Sequence, residues 1–180
     1  PLKPINILFS YFKKEKEKHG GAISIEALNK EKKIIELNFS KEEDELKYEK
    51  FWSRVKNNYT VTTNKDFQFL KWRYKDIPTR NYKIFYSEKN NEIIGLITLK
   101  AEHVWGFNVG IVMDFMVLEN QEKIGKNLLK YSTKVFRKAN LDFIAALHSP
   151  MEEYSIIRKT GFFTVPQKIL PQKIHFIVRE

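Results

Sequence analysis

Apolar residues recur along the chain at two spacings, and each spacing predicts one kind of element. Residues 34–39 alternate apolar and polar positions, which is typical of a strand with one buried face. Ser40 and Glu43 have the spacing of a capping box, so we expect a helix to begin at Ser40. Its inward face would be formed by apolar residues at helical spacing: Tyr48, Phe51, Trp52 and Val55.

Three further helices are expected. Asn64 belongs to the residue types that cap helices, and the helix after it would bury Phe67, Leu70 and Tyr74. A longer helix is expected from about Gln121 to Lys138, and another from about Met151 to Thr160. Gly161 follows that last helix directly, and a glycine is the usual residue beyond a helix end.

Six further strands are expected, at 82–86, 93–99, 109–118, 142–147, 162–165 and 174–178. Residues 89–92 predict the turn of a hairpin between the first two of them. Segment 109–118 is apolar except at Asp114, which indicates a strand buried on both faces. This mixture of strands and helices predicts an α/β (α+β) fold.

Composition limits the domain count. With 180 residues and 42% hydrophobic content, the chain suits one domain, which we place at 33–180, and residues 1–32 would form an N-terminal extension or a linker from a preceding domain. The chain begins with proline, so we expect it to be a piece of a longer protein. The absence of cysteine excludes disulfides and thiolate nucleophiles, and no histidine spacing indicates a metal site.

Charge indicates a basic surface. The formal net charge is +10, but lysines and glutamates are interspersed, as at 13–18, so we do not expect a nucleic-acid partner. No apolar run is long enough to span a bilayer, and we expect a cytoplasmic location.

Two short motifs carry a family resemblance. Residues 124–129 read Ile-Gly-Lys-Asn-Leu-Leu, and residues 158–162 read Arg-Lys-Thr-Gly-Phe. With the order of the elements, they make the chain resemble, over about 33–180, the GNAT superfamily of acyl-CoA N-acyltransferases. Segment 66–82 is similar to a bacterial branch that often carries two such domains in tandem. The resemblance therefore implies a preceding GNAT-like domain in the same protein.

The resemblance implies a mixed, mostly antiparallel sheet of about seven strands flanked by helices, with a splay between the family's fourth and fifth strands. It also implies acetyl-CoA as co-substrate, bound by a strand edge and by the next helix's start. The edge residues would be Phe115, Met116, Val117 and Leu118. The residues of the helix start would be Gln121, Lys123, Ile124, Gly125 and Lys126. Lys123 replaces a glycine of the family turn, which leaves open that the loop binds coenzyme A differently or not at all.

Three residues are candidates for acid–base chemistry. A carboxylate inside an apolar strand makes Asp114 the first candidate for a base or for a group that orients the amine; the alternative is a structural aspartate satisfied by a neighbour. The family's acidic tyrosine is replaced by Ile157, so Tyr154, one turn earlier, is the candidate acid, with a core or rim role as the alternative. His148 ends a strand and is a second candidate base.

Three functions remain open from the sequence. The first is acyl-CoA-dependent N-acyl transfer, such as acetyl transfer, to a small-molecule amine or amino sugar, with Arg73 holding an acceptor carboxylate or phosphate. The second is a non-catalytic GNAT-like half of a tandem protein that serves as a binding or structural domain. The third is aminoacyl transfer, in which an aminoacyl-tRNA donor would use the basic surface.

Overall fold

The structure is a computed structural model of the chain, and it describes residues 19–28, 34–78, 80–104, 106–146 and 151–163. The strands are β1 (His19–Ala22), β2 (Ile34–Glu36), β3 (Tyr82–Lys89), β4 (Glu92–Val104), β5 (Phe107–Val117) and β6 (Phe143–Ala146). The helices are α1 (Glu42–Val55), α2 (Phe67–Tyr74), α3 (Glu122–Lys138) and α4 (Met151–Lys159), and one 3-10 turn covers Lys56–Asn58.

The described strands form one mixed sheet in the order β2-β3-β4-β5-β6, with β1 paired to β4. All neighbouring pairs are antiparallel except β5 and β6, which are parallel. The described residues therefore contain six strands and confirm the mixed sheet flanked by helices. Phe162 and Phe163 have no regular structure, and the rest of the two predicted closing strands lies outside the described residues.

Helices cover both faces of the sheet and define two hydrophobic cores. On one face α3 and α4 pack through fully buried residues such as Leu128, Phe136 and Ile157. On the other face α1 and α2 pack on Met116 and its neighbours. The predicted inward face of α1 is confirmed, because Tyr48, Phe51, Trp52 and Val55 are all buried.

The predicted N-terminal caps of α1 and α2 are both wrong. The residue before α1 is Lys41, which makes no side-chain cap, and the N–H of Ser40 donates instead to Asn38 Oδ1 at 2.9 Å. The N–H of Asn38 in turn donates to Asp44 Oδ2 at 2.7 Å, so a buried carboxylate replaces the predicted capping box.

Helix α2 likewise begins after a different cap. Asp66, not Asn64, is its N-cap and accepts a hydrogen bond from the Phe69 N–H at 2.8 Å. The Asn64 side chain binds two side chains, accepting from Trp52 Nε1 and donating to Asp66 Oδ2. Asn64 therefore joins the end of α1 to the start of α2.

The predicted hairpin is confirmed, with Asn90 and Asn91 as its two turn residues. Their φ angles are +52° and +63°, the left-handed conformation that a two-residue hairpin turn requires and that asparagine tolerates better than most residues. This turn fixes the long antiparallel pairing of β3 with β4, which continues from Lys89 opposite Glu92 to Tyr82 opposite Lys100.

The described part of the predicted extension packs on the domain. Strand β1 pairs with the end of β4, and the Ile23 N–H donates to the Ala101 carbonyl at 3.0 Å. Ile25 is buried in the core beneath α3, and the Leu28 N–H donates to the Tyr131 hydroxyl at 3.1 Å. No helix among the described residues is both long enough and apolar enough to cross a membrane.

Candidate active site

The end of β5 has one edge directed away from β4. The Leu118 N–H donates to the Ile94 carbonyl at 3.1 Å, and Gly95 lies opposite Val117. Because backbone groups of successive strand residues point to opposite edges, those of Val117 and Phe115 point away from β4. We call the backbone groups of these two residues the outward edge of β5. Leu118, named with them from the sequence, uses its N–H within the sheet.

The pairing of β5 with β6 can be followed as far as the described residues of β6 extend. It runs from Val109 opposite Phe143 to Val112 opposite Ala146, the last described residue of β6. The next residue, Met113, is a bulge, since Val112 and Asp114 lie opposite the consecutive residues Leu99 and Thr98 of β4. A bulge bends its strand and strengthens the twist, so β5 changes direction directly after Val112.

A segment after α1 reaches across the outward edge. The Asn58 side-chain amide donates to the Val117 carbonyl at 3.4 Å, and the Tyr59 hydroxyl donates to Glu153 Oε1 on α4 at 2.5 Å. Glu153 is only 2% exposed. Asn58 and Tyr59 thus join the end of β5 to α4.

Asp114 lies beside the bulge at the centre of a charged hydrogen-bond group. Lys65 Nζ is 2.5 Å from Asp114 Oδ1, and the Tyr74 hydroxyl donates to Asp114 Oδ2. Burial, followed by the negative charge of Asp114, raises the pKa of the Tyr74 phenol far above its usual range, so Tyr74 stays a hydrogen-bond donor. The side chain of Asp114 keeps 13% of its area exposed. The structure therefore places this carboxylate at the edge of the core.

Thr98 lies opposite Asp114 on β4. It is fully buried, and its hydroxyl has no hydrogen-bond partner among the residues that the structure describes. Leaving such a group unsatisfied costs about 1–3 kcal/mol. The sheet is thus locally polar around Asp114, in contrast to the apolar residues on either side of it.

The start of α3 offers backbone donors directly after the outward edge. Gln121 makes no side-chain cap, and its carbonyl already accepts from the N–H groups of Ile124 and Gly125. The N–H groups of Glu122 and Lys123 are the remaining donors of this first turn, and the helix dipole favours an anion there. The carboxylate of Glu122 lies at the same turn.

Lysines neutralise that carboxylate. Glu122 pairs with Lys126 at 2.8 Å and with Lys159 of α4 at 3.0 Å, and these cations lower its pKa. The three side chains together carry one net positive charge. Lys123, the residue in place of the family glycine, is exposed, and Ile124 packs between the two cores.

Gly125 is explained by packing. A Cβ atom at this position would lie 3.1 Å from both Ile156 Cγ2 and Phe115 Cζ. The glycine therefore lets α3 approach α4 and β5 closely, and the same contact holds the Phe115 ring in the core.

The structure describes only one of the other two candidates for acid–base chemistry. Tyr154 is 38% exposed on α4, with the Arg158 guanidinium over its ring at 5.9 Å. Ile157, in place of the family tyrosine, is buried in the core. His148 lies outside the described residues. The roles of Tyr154 and His148 stay predictions.

Sequence reasoning missed four contributors to this region: Lys65, Tyr59, Asn58 and Glu153. None had a local signal, because Lys65 lies 49 residues from Asp114 and Tyr59 lies 94 residues from Glu153. The described residues contain no group of three or more histidines and carboxylates that could hold a metal ion.

Several solved structures with the same architecture are acetyltransferases. An aminoglycoside acetyltransferase from an uncultured soil metagenomic sample is 16% identical, with a TM-score of 0.57, and the match covers 82% of this chain and 95% of that one. A GNAT family acetyltransferase of Staphylococcus aureus is 19% identical, with a TM-score of 0.55, and the match covers 82% of this chain and 98% of that one. Glucosamine-6-phosphate N-acetyltransferase of Arabidopsis thaliana is 14% identical, with a TM-score of 0.56, and the match covers 81% of this chain and 98% of that one.

At these identities the likeness shows the fold. No protein-family model matches the sequence. A search of curated proteins likewise finds no matching sequence.

Proposed function

Because the chain has the fold of the GNAT acetyltransferases, we propose that it is an acyl-CoA-dependent N-acyltransferase acting on a small amine or amino sugar. The observation that carries the proposal is the bulge at Met113 beside Asp114, after which the backbone groups of Val117 point away from β4 and α3 begins. This arrangement brings a carboxylate, an outward-directed strand edge and a helix start into one region.

Backbone groups in this region fit acetyl-CoA, which would supply the acyl group as an activated thioester. The N–H and carbonyl of Val117 are directed to pair with an amide of the pantetheine arm. The N–H groups of Glu122 and Lys123 would accept the pyrophosphate, as helix starts do. Since both contacts use the backbone, the loss of the family glycine at Lys123 does not remove either donor set.

Asp114 would act as the base that takes a proton from the acceptor amine. The nitrogen forms the new amide bond as the carbon–sulfur bond breaks, the amine proton passes to Asp114, and the leaving thiolate takes a proton from water. Lys65 and Tyr74 hold the two carboxylate oxygens in place. Fixing the carboxylate in this way reduces the reorganisation needed when the amine approaches.

A second function is favoured by specific contacts. Asn58 already donates to the Val117 carbonyl, both oxygens of Asp114 have partners, and Ile157 is buried where the family has its acidic tyrosine. These contacts suit a non-catalytic GNAT-like domain in which the former site has become structural.

Thermal unfolding in the presence of acetyl-CoA separates the two functions. A ligand that binds only the folded state at 100 times its Kd stabilises it by about 2.7 kcal/mol, so the acyltransferase should show a saturable rise in Tm. Lys123→Gln keeps the backbone donor but removes a positive charge beside the proposed pyrophosphate, so it should weaken this rise, whereas Lys130→Gln, at an exposed lysine farther along α3, should leave it intact. No rise at millimolar acetyl-CoA would reject the acyltransferase and leave the non-catalytic domain.

A further inference from the structure

Two arginines are anchored on a pair of tyrosines next to Asp114. Tyr74 of α2 and Tyr82 of β3 pack edge to face with their ring centroids 4.9 Å apart. Arg73 Nε donates to the Tyr74 hydroxyl at 3.3 Å, and Arg80 Nη1 donates to the Tyr82 hydroxyl at 3.3 Å. Both guanidinium groups are therefore attached to one rigid aromatic unit.

The charges around this aromatic unit do not balance. Lys65 pairs with Asp114, and Lys100, which also lies over the Tyr82 ring, pairs with Glu102. The two lysines are thus neutralised by two carboxylates. Arg73 and Arg80 bind neutral phenols, and neither has an ion pair with a carboxylate in the described part of the chain. Among the described residues, two positive charges therefore have no carboxylate of their own.

Both guanidinium groups keep donors for a ligand. A guanidinium has five N–H donors, and each tyrosine hydroxyl takes one of them. The remaining fork matches the geometry of a carboxylate or phosphate. The Arg73 guanidinium also lies over the Tyr74 ring at 5.6 Å, which further restricts its orientation and lowers the entropy lost on binding.

This unit is connected directly to the candidate base. The Tyr74 hydroxyl accepts from Arg73 and donates to Asp114, so the Arg73 guanidinium is two hydrogen bonds from the Asp114 carboxylate. Resting on the proposed function, we propose that the acceptor is an amine that also carries an oxyanion, a phosphate or a carboxylate, held by Arg73 and Arg80. The amine of such a small molecule would lie at Asp114.

Isothermal titration in the absence of acetyl-CoA tests this proposal with matched probes. Glucosamine 6-phosphate is compared with glucosamine, O-phosphoethanolamine with ethanolamine, and β-alanine with propylamine. At low salt, at least one phosphate or carboxylate probe should bind about tenfold or more tighter than its twin, the amine that lacks the oxyanion, as charge-assisted hydrogen bonds allow. The phosphate and carboxylate pairs then show which oxyanion is preferred.

Variants assign the preference to the two arginines. Arg73→Gln and Arg80→Gln should each remove most of it, Arg73→Lys should restore part of it, and Arg137→Gln on the exposed face of α3 should keep it whole. Circular dichroism confirms that each variant is folded. The proposal is overturned if no oxyanion-bearing probe binds more tightly than its twin, or if the preference survives both glutamine substitutions. Oxyanion-dependent binding without any response to acetyl-CoA would overturn the acyltransferase function and leave an oxyanion site at Arg73 and Arg80.

Discussion

The Tyr74 hydroxyl donates a hydrogen bond to the Asp114 carboxylate across forty residues of sequence. This contact fixes helix α2 on the polar part of the sheet, beside the bulge at Met113. It also connects the candidate base to the arginine-bearing tyrosine pair. The contact therefore stabilises the fold and also positions the candidate base for the proposed chemistry.

Asp114→Asn should lower acyl transfer by at least about 100-fold, because the amide cannot take a proton from the amine. The rise in Tm with acetyl-CoA should persist, since the backbone groups of Val117 and α3 are unchanged. Asp76→Asn, at an exposed position beyond the end of α2, is the matched control and should transfer normally. Unchanged turnover in Asp114→Asn would exclude Asp114 from the mechanism.

Stability should fall at alkaline pH because three buried phenols stay protonated in the folded state. Burial is the main cause that raises the pKa of Tyr48, Tyr74 and Tyr86. Above about pH 10 their phenols ionise only in the unfolded chain, so the free energy of unfolding should fall by up to about 1.4 kcal/mol per pH unit for each.

Urea unfolding between pH 9 and 11.5 measures this slope. Tyr48→Phe should make it shallower by about one proton, while the two proteins should show equal slopes between pH 6 and 8. An equal slope at alkaline pH would show that the Tyr48 phenol ionises in the folded state.

Gly110→Ala should destabilise the fold by about 1–3 kcal/mol, the usual cost of overpacking a core. A Cβ atom on Gly110 would lie 2.7 Å from two atoms of the buried Phe136 ring. Phe136→Leu should also be destabilising, but the double variant should lose less than the sum, because the smaller side chain leaves room for the methyl group. Strict additivity in urea unfolding would contradict this packing.

Asn58→Ala should tighten acetyl-CoA binding by about 2–5-fold, because the substitution removes one weak competing hydrogen bond. The Asn58 amide occupies the Val117 carbonyl that the pantetheine arm would use. Asn57→Ala is the matched control, since the Asn57 side chain donates only to the Ser53 carbonyl of its own turn. Weaker binding in Asn58→Ala would instead make Asn58 part of the binding site.

Sequence patterns predicted the elements better than the contacts between them. The inward face of α1 and the Asn90–Asn91 hairpin follow from periodicity and turn chemistry, which are local properties. The start of α1 was missed because Asp44 binds the Asn38 backbone, and the start of α2 because Asn64 binds Trp52. Those choices depend on tertiary packing.

For the candidate site too, the sequence predicted a residue but not its contacts. An aspartate within an apolar strand was recognisable as a candidate, but Lys65 and Tyr74 reach it from distant segments. Likewise, the sequence predicts Gly125 as a residue of the cofactor turn, and only the positions of Ile156 and Phe115 reveal that it also has a packing role. Residues that act through contacts distant in sequence carry no local pattern.

Residue-resolved hydrogen exchange with and without acetyl-CoA tests the central claim most directly. The Leu118 N–H donates to Ile94 and should exchange slowly in both conditions, whereas the Val117 N–H points away from β4. We expect exchange at Val117 to slow markedly when acetyl-CoA is added, because the pantetheine arm would take this donor. Exchange at Val117 that is unchanged by saturating acetyl-CoA would contradict the proposed site.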